Sequence, residues 1–541
     1  MLARFSNTTR DKILTLATFV IPFLVYLHTL APTIHGIAPT DRPTIYSLDS
    51  AELVTGAYSL GIVHAPGYPL YLLIGKVFSY LPVRDVAYRL NLMSAFFAAL
   101  TIAVLYRLVL KLTHHALISF ATATSLAFSY SFWTASLVAE VYTLHAFFMV
   151  LVLYTSLNWA ETREHKYLYR LALVYGLSFG NHTSTSLMAL GLGYFLLATD
   201  HRQILKPRVL FGMMLAFASG WLVYLYLPLR YLVQPAFNYA GRYDANGVFH
   251  SVDLTTLRGL WWMVSGQQFR ALMFSYRGPE ILRELRNHGY WLWSNFLAVG
   301  IIPGTWGSLT LFTRRRRLGV SLLLIYAANL AFFATYRILD TESMYIPTYV
   351  IWTIWMGAGC HRLLEEISAW ENKRGPGGTG DQTGGQMLRT HLDKKRELVY
   401  SIKSWSNVLQ KIFLLIPLTA LIVNYRYCDL SDNWGAKEQA NAVLAQVEPN
   451  AIVVGQSITA STLNYMQIVE GRRLDVQVIN RVFIGWRELR QLIKREIDQR
   501  PVYMIEKEAW LADEYRFVPL KTVGYELEKR TDNQRDYLKG D

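Results

Sequence analysis

Asp49, Glu52 and His64 place two carboxylates and an imidazole within sixteen residues, in the stretch SLDSAELVTGAYSLGIVHAPGYPLY, Ser47 to Tyr71. Three positions apart, Asp49 and Glu52 share a face wherever the chain is helical. An aspartate of ordinary pKa, about 4, is ionised at neutral pH and can take a proton from an incoming hydroxyl. Beside the pair, His64-Ala65-Pro66-Gly67-Tyr68-Pro69 reads as a rigid turn, because each proline fixes its own φ and restricts the residue before it. The chemistry that fits is abstraction of an acceptor proton next to a leaving anion. The same residues allow a plainer reading, in which Asp49 caps a helix starting at Ser50, Glu52 completes a capping box and His64 serves the turn. An Asp-Glu pair alone is a weak metal signal, and the sequence has no Cys/His metal cluster, so neither a metal nor another cofactor is expected.

The elements that must position these groups are membrane helices. Of the 541 residues, 52% are hydrophobic and the mean hydropathy is positive, with long apolar runs recurring along most of the chain. About twenty apolar residues per crossing give about eleven spans, near 13–30, 90–110, 117–136, 141–159, 168–181, 183–199, 209–228, 291–313, 318–336, 345–365 and 405–424. The formal charge of +14 comes from Lys and Arg in short stretches between these runs, the arrangement that sets topology, and no nucleic-acid motif accompanies it. Alternation places Arg107 and Lys111, Arg163 and Lys166, Arg202 to Arg208, Arg314 to Arg317, and Lys373 to Arg396 on the cytoplasmic side. The first span follows Arg4, Arg10 and Lys12 and reads as an uncleaved signal anchor with its N-terminus inside. Cys360 and Cys428 fall near opposite faces and are expected to stay unpaired.

The same alternation sends residues 31–89, the turn Glu140-Val141-Tyr142, Asn181-His182, residues 229–290 and the turn Arg337 to Glu342 outward. Nearly every unusual polar residue then lies at one face, whereas a lipid or sugar-lipid transporter, the alternative from another class, places its ionisable groups near the midplane of repeated halves. A site at an outer interface suits a glycosyltransferase whose sugar arrives on a polyprenyl phosphate. That reaction needs a base, groups that stabilise the departing phosphate, and an opening to lipid. Asp49 and Glu52 are the catalytic candidates; His64, Lys76, Arg89, Arg230 and Arg337 are outward candidates for the phosphate, although a cation near a span end can also simply snorkel. The segment Glu371 to Gln386 is a Gly-rich charged linker, within a cytoplasmic connection over 366–404. Residues 1–424 therefore read as the membrane catalytic domain. Residues 425–541 read as a small extracytoplasmic α/β domain with a parallel sheet, from helical patterns at Gly435–Gln446, near Ser461–Val469 and at Trp486–Gln499 between apolar runs at Ala451–Val454, Val476–Asn480 and Pro501–Ile505. It has no G-x-G-x-x-G, P-loop or D-x-D, so no nucleotide-sugar site is expected there.

The stretch LDSAELVTGAYSLGIVHAPGYPLYLLIGKVFSYLP, followed by AYRLNLMSAFFAALT, AEVYTLHAFF, GLSFGNHTS, YLPLRYLVQP, YRILDTESMYIP and NYRYCDLSDNWGA, resembles in order a former domain-of-unknown-function family now grouped with the GT-C glycosyltransferases. That group includes a eukaryotic protein O-mannosyltransferase. The resemblance implies a mainly α GT-C membrane bundle, an acidic site in the first outer loop and a polyprenyl-phosphate sugar, mannose by analogy, as donor. It also implies an extracytoplasmic protein or glycan acceptor and inversion at the anomeric carbon. By position Asp49 and Glu52 match the acidic pair and His64 the His-Pro-rich turn. Glu140 with its neighbour Tyr142, His182, Arg230 and Asp340 match later polar points. Where relatives have His-Pro-Pro-Gly, this chain has His64-Ala65-Pro66-Gly67, and Pro66 still restricts the turn.

Overall fold

A computed structural model describes residues 9–36, 49–374 and 405–530. Most of the Gly-rich linker and the chain end lie outside the described residues. The fold is mainly helical, and among the described residues six helices are long and apolar enough to cross a bilayer: Thr9–Thr29, Val86–Thr113, Tyr142–Thr162, Pro207–Val233, Arg316–Ala334 and Trp405–Cys428. Val86–Thr113 is central. Asp85 caps it by accepting the Tyr88 N–H at 2.9 Å, and His114 closes it in the left-handed region. At 1.5 Å per residue its 28 residues span about 42 Å, and it packs against Thr9–Thr29, Ala116–Ala127 and Tyr142–Thr162.

Several of the eleven expected spans take another form. The run 117–136 is divided into Ala116–Ala127 and Tyr130–Ala135, and 183–199 begins as a 3-10 turn at Thr183–Met188 before Ala189–Ile204. The run 291–313 breaks between Gly278–Asn295 and Ile301–Arg314, where Leu297 and Ala298 both have positive φ. Hydropathy cannot register such a break, because apolar residues occupy both sides of it. Ile346–Arg374 continues well past the expected end at 365. It lies so close to Ile301–Arg314 that a Cβ on Gly307 would sit 1.7 Å from the Trp355 carbonyl oxygen, and one on Gly359 1.8 Å from that of Pro303. Small residues are what permit backbones to approach this closely between membrane helices. Cys360 and Cys428 are both free and buried.

Residues 452–529 form a five-stranded sheet. Its order is 477–480, 452–455, 502–504, 525–529, 515–519, with the first three strands parallel and the last two antiparallel. The sheet is therefore mixed rather than parallel throughout, since the terminal hairpin 515–519/525–529 adds to its edge. Helices Gly435–Gln446, Ser457–Ile468 and Trp486–Glu496 accompany it. On Trp486–Glu496 the apolar Leu489, Leu492 and Ile493 are buried while its charged residues face away, an amphipathic pattern of helical period.

One short helix joins the two parts. Ser50–Ser59 is buried from Ser50 through Ala57 and packs against Pro69–Ser79 and Val86–Thr113 on the membrane side and against Ser457–Ile468 of the α/β unit. A strap from Phe237 to Ala240 reinforces this joint. The Ile62 N–H donates to the Phe237 carbonyl at 2.8 Å and the Tyr239 N–H to the Ile62 carbonyl at 2.8 Å. The Tyr239 hydroxyl accepts from Asn464 at 2.8 Å and meets Ser461 Oγ at 3.3 Å. Lys437 of the α/β unit ion-pairs with Asp85 at 3.2 Å.

Candidate functional site

Asp49 stands immediately before the Ser50–Ser59 helix, in the cap position, but its side chain makes no capping hydrogen bond. The plainer reading of Asp49 as a helix cap is thus not what the side chain does. Its backbone N–H donates to Glu140 Oε1 at 3.3 Å, and its carboxylate lies 3.8 Å from His64 Nε2 with 29% of the side chain exposed. Glu52 is turned inward and only 1% exposed. Its Oε1 accepts both the backbone N–H of His64 at 2.6 Å and the ring N–H at Nδ1 at 2.8 Å. The two carboxylates therefore divide the work: Glu52 fixes and neutralises the imidazole, and Asp49 keeps an open edge.

The electrostatics follow from this packing. Burial alone would pull the His64 pKa down, but the charges of Glu52 and Asp49 and the hydrogen bond to Glu52 outweigh it and push the value up to about 9. For Asp49 burial dominates in the opposite direction; His64 lowers the pKa, Glu52 and Asp340 raise it, and the result is about 7. Burial likewise raises Asp340. At neutral pH the site thus holds a charged imidazole beside a carboxylate poised to take a proton. Asp49, Glu52 and His64 each bring one potential ligating atom to within 4.8 Å of the others, a set that could hold a divalent cation once His64 has given up its proton.

Most of the other residues expected from sequence gather around this centre. Tyr142 hydrogen-bonds through its hydroxyl to Asp340, joining the start of Tyr142–Thr162 to the loop before Ile346–Arg374. The His182 ring lies 5.9 Å from that of Tyr68 and 6.3 Å from that of Tyr142. Its Nδ1 accepts the Ser184 N–H at 3.2 Å, so the ring proton sits on Nε2 when His182 is neutral. The cations are engaged differently. Arg230 donates to the carbonyls of Leu60 at 2.6 Å and Ser59 at 3.4 Å, holding the C-terminal end of the Ser50–Ser59 helix. Lys76 donates to the Tyr58 carbonyl at 2.6 Å, Arg89 to the carbonyls of Ser79, Val83 and Arg84, and Arg337 pairs with Glu280 at 3.0 Å over the Tyr276 ring.

Sequence reasoning missed four participants. The Tyr68 hydroxyl lies 3.2 Å from His64 Nε2. The His145 ring lies 5.2 Å from that of His182, tilted by 40°, and meets Ser184 and Thr185 at 3.3 Å on its two ring nitrogens; its signal is an imidazole three residues after Tyr142 in a largely apolar helix. Gln268 and Phe269, from the segment between Leu257–Val264 and Gly278–Asn295, contact the His64 turn, and no residue type there advertises chemistry.

Residues 49–205 match the family described as Protein O-mannosyl-transferase TMEM260 N-terminal domain, which begins at Asp49. The chain is 24% identical over 460 residues to the mouse Protein O-mannosyl-transferase TMEM260, covering 80% of this chain and 59% of that one. It is 20% identical to the Dictyostelium discoideum protein of the same description, covering 83% and 56%. The chain thus spans less than two thirds of the length of either relative. Among solved structures, ArnT from Cupriavidus metallidurans bound to undecaprenyl phosphate superposes with a TM-score of 0.57 at 13% identity, covering 96% of this chain and 98% of that one. The Archaeoglobus fulgidus oligosaccharyltransferase tethered to an acceptor peptide gives 0.50 at 13% identity, covering 96% and 74%. The fold is that of the GT-C membrane enzymes.

Proposed function

With a GT-C fold and a TMEM260 N-terminal domain match that starts at Asp49, we propose that this chain is a membrane glycosyltransferase that moves mannose from a polyprenyl phosphate to a protein Ser or Thr hydroxyl on the outer side. The observation that carries the reading is the division of labour between the carboxylates, in which Glu52 is consumed by His64 and Asp49 is left open. In the step we favour, the acceptor oxygen attacks the anomeric carbon as Asp49 takes its proton. The bond from that carbon to the phosphate oxygen breaks, and polyprenyl phosphate leaves with the electron pair, inverting the anomeric centre. The His64 cation offsets the negative charge that gathers on the phosphate. The similar ArnT structure is bound to undecaprenyl phosphate, and the curated relatives are described as protein O-mannosyl-transferases; both support this choice of donor and acceptor class.

The test is to incubate purified protein with labelled polyprenyl-phosphate mannose and a Ser/Thr-rich peptide. Label is expected on the peptide, and its absence from every acceptor offered would end the proposal. The rate should also trace a bell with pH. Asp49 acts only when deprotonated, so the rate climbs as pH rises through about 7; His64 helps only while charged, so it falls as pH passes about 9. A rate independent of pH between 6 and 10, at constant donor saturation, would remove both groups from the reaction.

The proposal also requires the first loop and the α/β unit to face outward, with the Arg314–Arg317 cluster inside. In a background lacking Cys360 and Cys428, single cysteines at the exposed positions Asn246 and Arg472 should react with a membrane-impermeant thiol reagent in intact cells. One at Arg316 should react only after lysis. The reverse pattern would move every proposed site residue to the wrong side.

A further inference from the structure

The turn that carries His64 is covered by the short helical turn Gln267–Phe269. The Phe269 ring stands edge-on to the imidazole, with centroids 5.5 Å apart and planes at 85°. Next to it Gln268 Oε1 accepts the backbone N–H of Ala65 at 3.0 Å. An N–H can donate only to the oxygen end of a carboxamide, so this bond fixes which way the side chain lies. Gln268 Nε2 therefore points away from Ala65, and there it is buried without a hydrogen-bond partner among the described residues. A buried donor left unpaired is uncommon in folded proteins and calls for an acceptor that arrives later.

The chemistry of that acceptor can be narrowed. An amide NH2 only donates, so its partner must offer a lone pair. A phosphate that has lost its sugar presents acceptor oxygens and no protons, and therefore depends on donors for its stabilisation. The cations a sequence reading would assign to it are occupied elsewhere: Lys76, Arg89 and Arg230 on backbone carbonyls and Arg337 on Glu280. Beside the His64 turn, the Gln268 amide is a buried donor with no partner among the described residues. We propose that Gln268 Nε2 donates to a non-bridging phosphate oxygen of the polyprenyl-phosphate donor, making Gln268 a binding residue that joins the His64 turn to the lipid headgroup. This deepens the transferase reading and rests on it.

The test separates holding the turn from holding the phosphate. Gln268→Glu keeps a side-chain oxygen for the Ala65 N–H and replaces the donor with an acceptor. Binding of unsugared polyprenyl phosphate to the full-length protein in detergent should weaken by about tenfold or more, while binding of the matching polyprenol, which lacks phosphate, and the melting temperature stay near wild type. Gln268→Met, of similar length and unable to donate, should lose the preference for phosphate over alcohol in the same way, and it serves as the readout if the glutamate variant does not fold. Equal binding of polyprenyl phosphate by wild type and variants, or a parallel loss for phosphate and alcohol, would overturn the assignment and leave Gln268 as a support of the turn. Failure of the wild-type protein to bind polyprenyl phosphate at all would overturn the transferase reading itself, and this assignment with it.

Discussion

Replacing Asp49 with asparagine is expected to lower sugar transfer by about 100-fold or more, the range that general-base catalysis commonly supplies, while leaving the melting temperature close to that of the wild type. The two outcomes separate because the Asp49 side chain caps nothing, whereas its tie to Glu140 runs through the backbone N–H and survives the substitution. Asparagine has nearly the same shape and can accept a hydrogen bond, but it cannot take a proton. Transfer assays on the purified variant, paired with a thermal melt, provide both numbers. Wild-type turnover in Asp49→Asn would sink the assignment of Asp49 as base.

Glu52→Ala should fail differently, by loss of the fold around the site. Glu52 is 1% exposed, and removing it leaves the imidazole of His64 buried without the carboxylate that makes its charge tolerable. Breaking a buried pair from one side costs about 3–5 kcal/mol. Inactivity should therefore come with a lowered midpoint in denaturant. The sign with pH is fixed by the raised pKa of His64: the stability contributed by its protonated form is complete below the unfolded value, about 6.5, and is lost as pH rises through about 9. The penalty of Glu52→Ala should accordingly shrink at alkaline pH. Glu52→Gln, which retains an acceptor for the His64 backbone N–H, should be the milder variant in stability. Full stability of Glu52→Ala at neutral pH would show that the pair does not hold the turn.

How far the sequence anticipates this arrangement depends on what kind of information each feature needs. The membrane class and the positions of the strongest helices follow from apolar length, which is local. The approach of Asp49, Glu52 and His64 follows from their closeness in sequence and from the stiff turn that begins at His64, also local. Spacing puts Asp49 and Glu52 on one face but is silent about which is buried, because that depends on tertiary packing of the Ser50–Ser59 helix, part of it against Ser457–Ile468 from far along the chain. The role of Arg230 was hidden for a related reason: a cation beside a site looks the same in sequence whether it faces a phosphate or, as here, two carbonyls that end a helix. The break at Leu297 and Ala298 is a backbone event inside an apolar run. Gln268 matters through one orphan atom, and composition carries no trace of that.

The joint between the Ser50–Ser59 helix and the Ser457–Ile468 helix has a consequence for how the protein is made. Asp49 emerges from the ribosome well before Ser457–Ile468, the segment that packs against the far side of its helix. Chains grow at about 5–20 residues per second, so on the order of tens of seconds pass between the two events. Through that interval the helix bearing the site has one of its two walls, and it can gain the second only after the apolar helix Trp405–Cys428 has been made. A ribosome that stalls before that point releases a chain with a bare, unsupported acidic turn. The order of synthesis thus delays the candidate site: its helix gains a second wall only once the chain has grown through Ser457–Ile468.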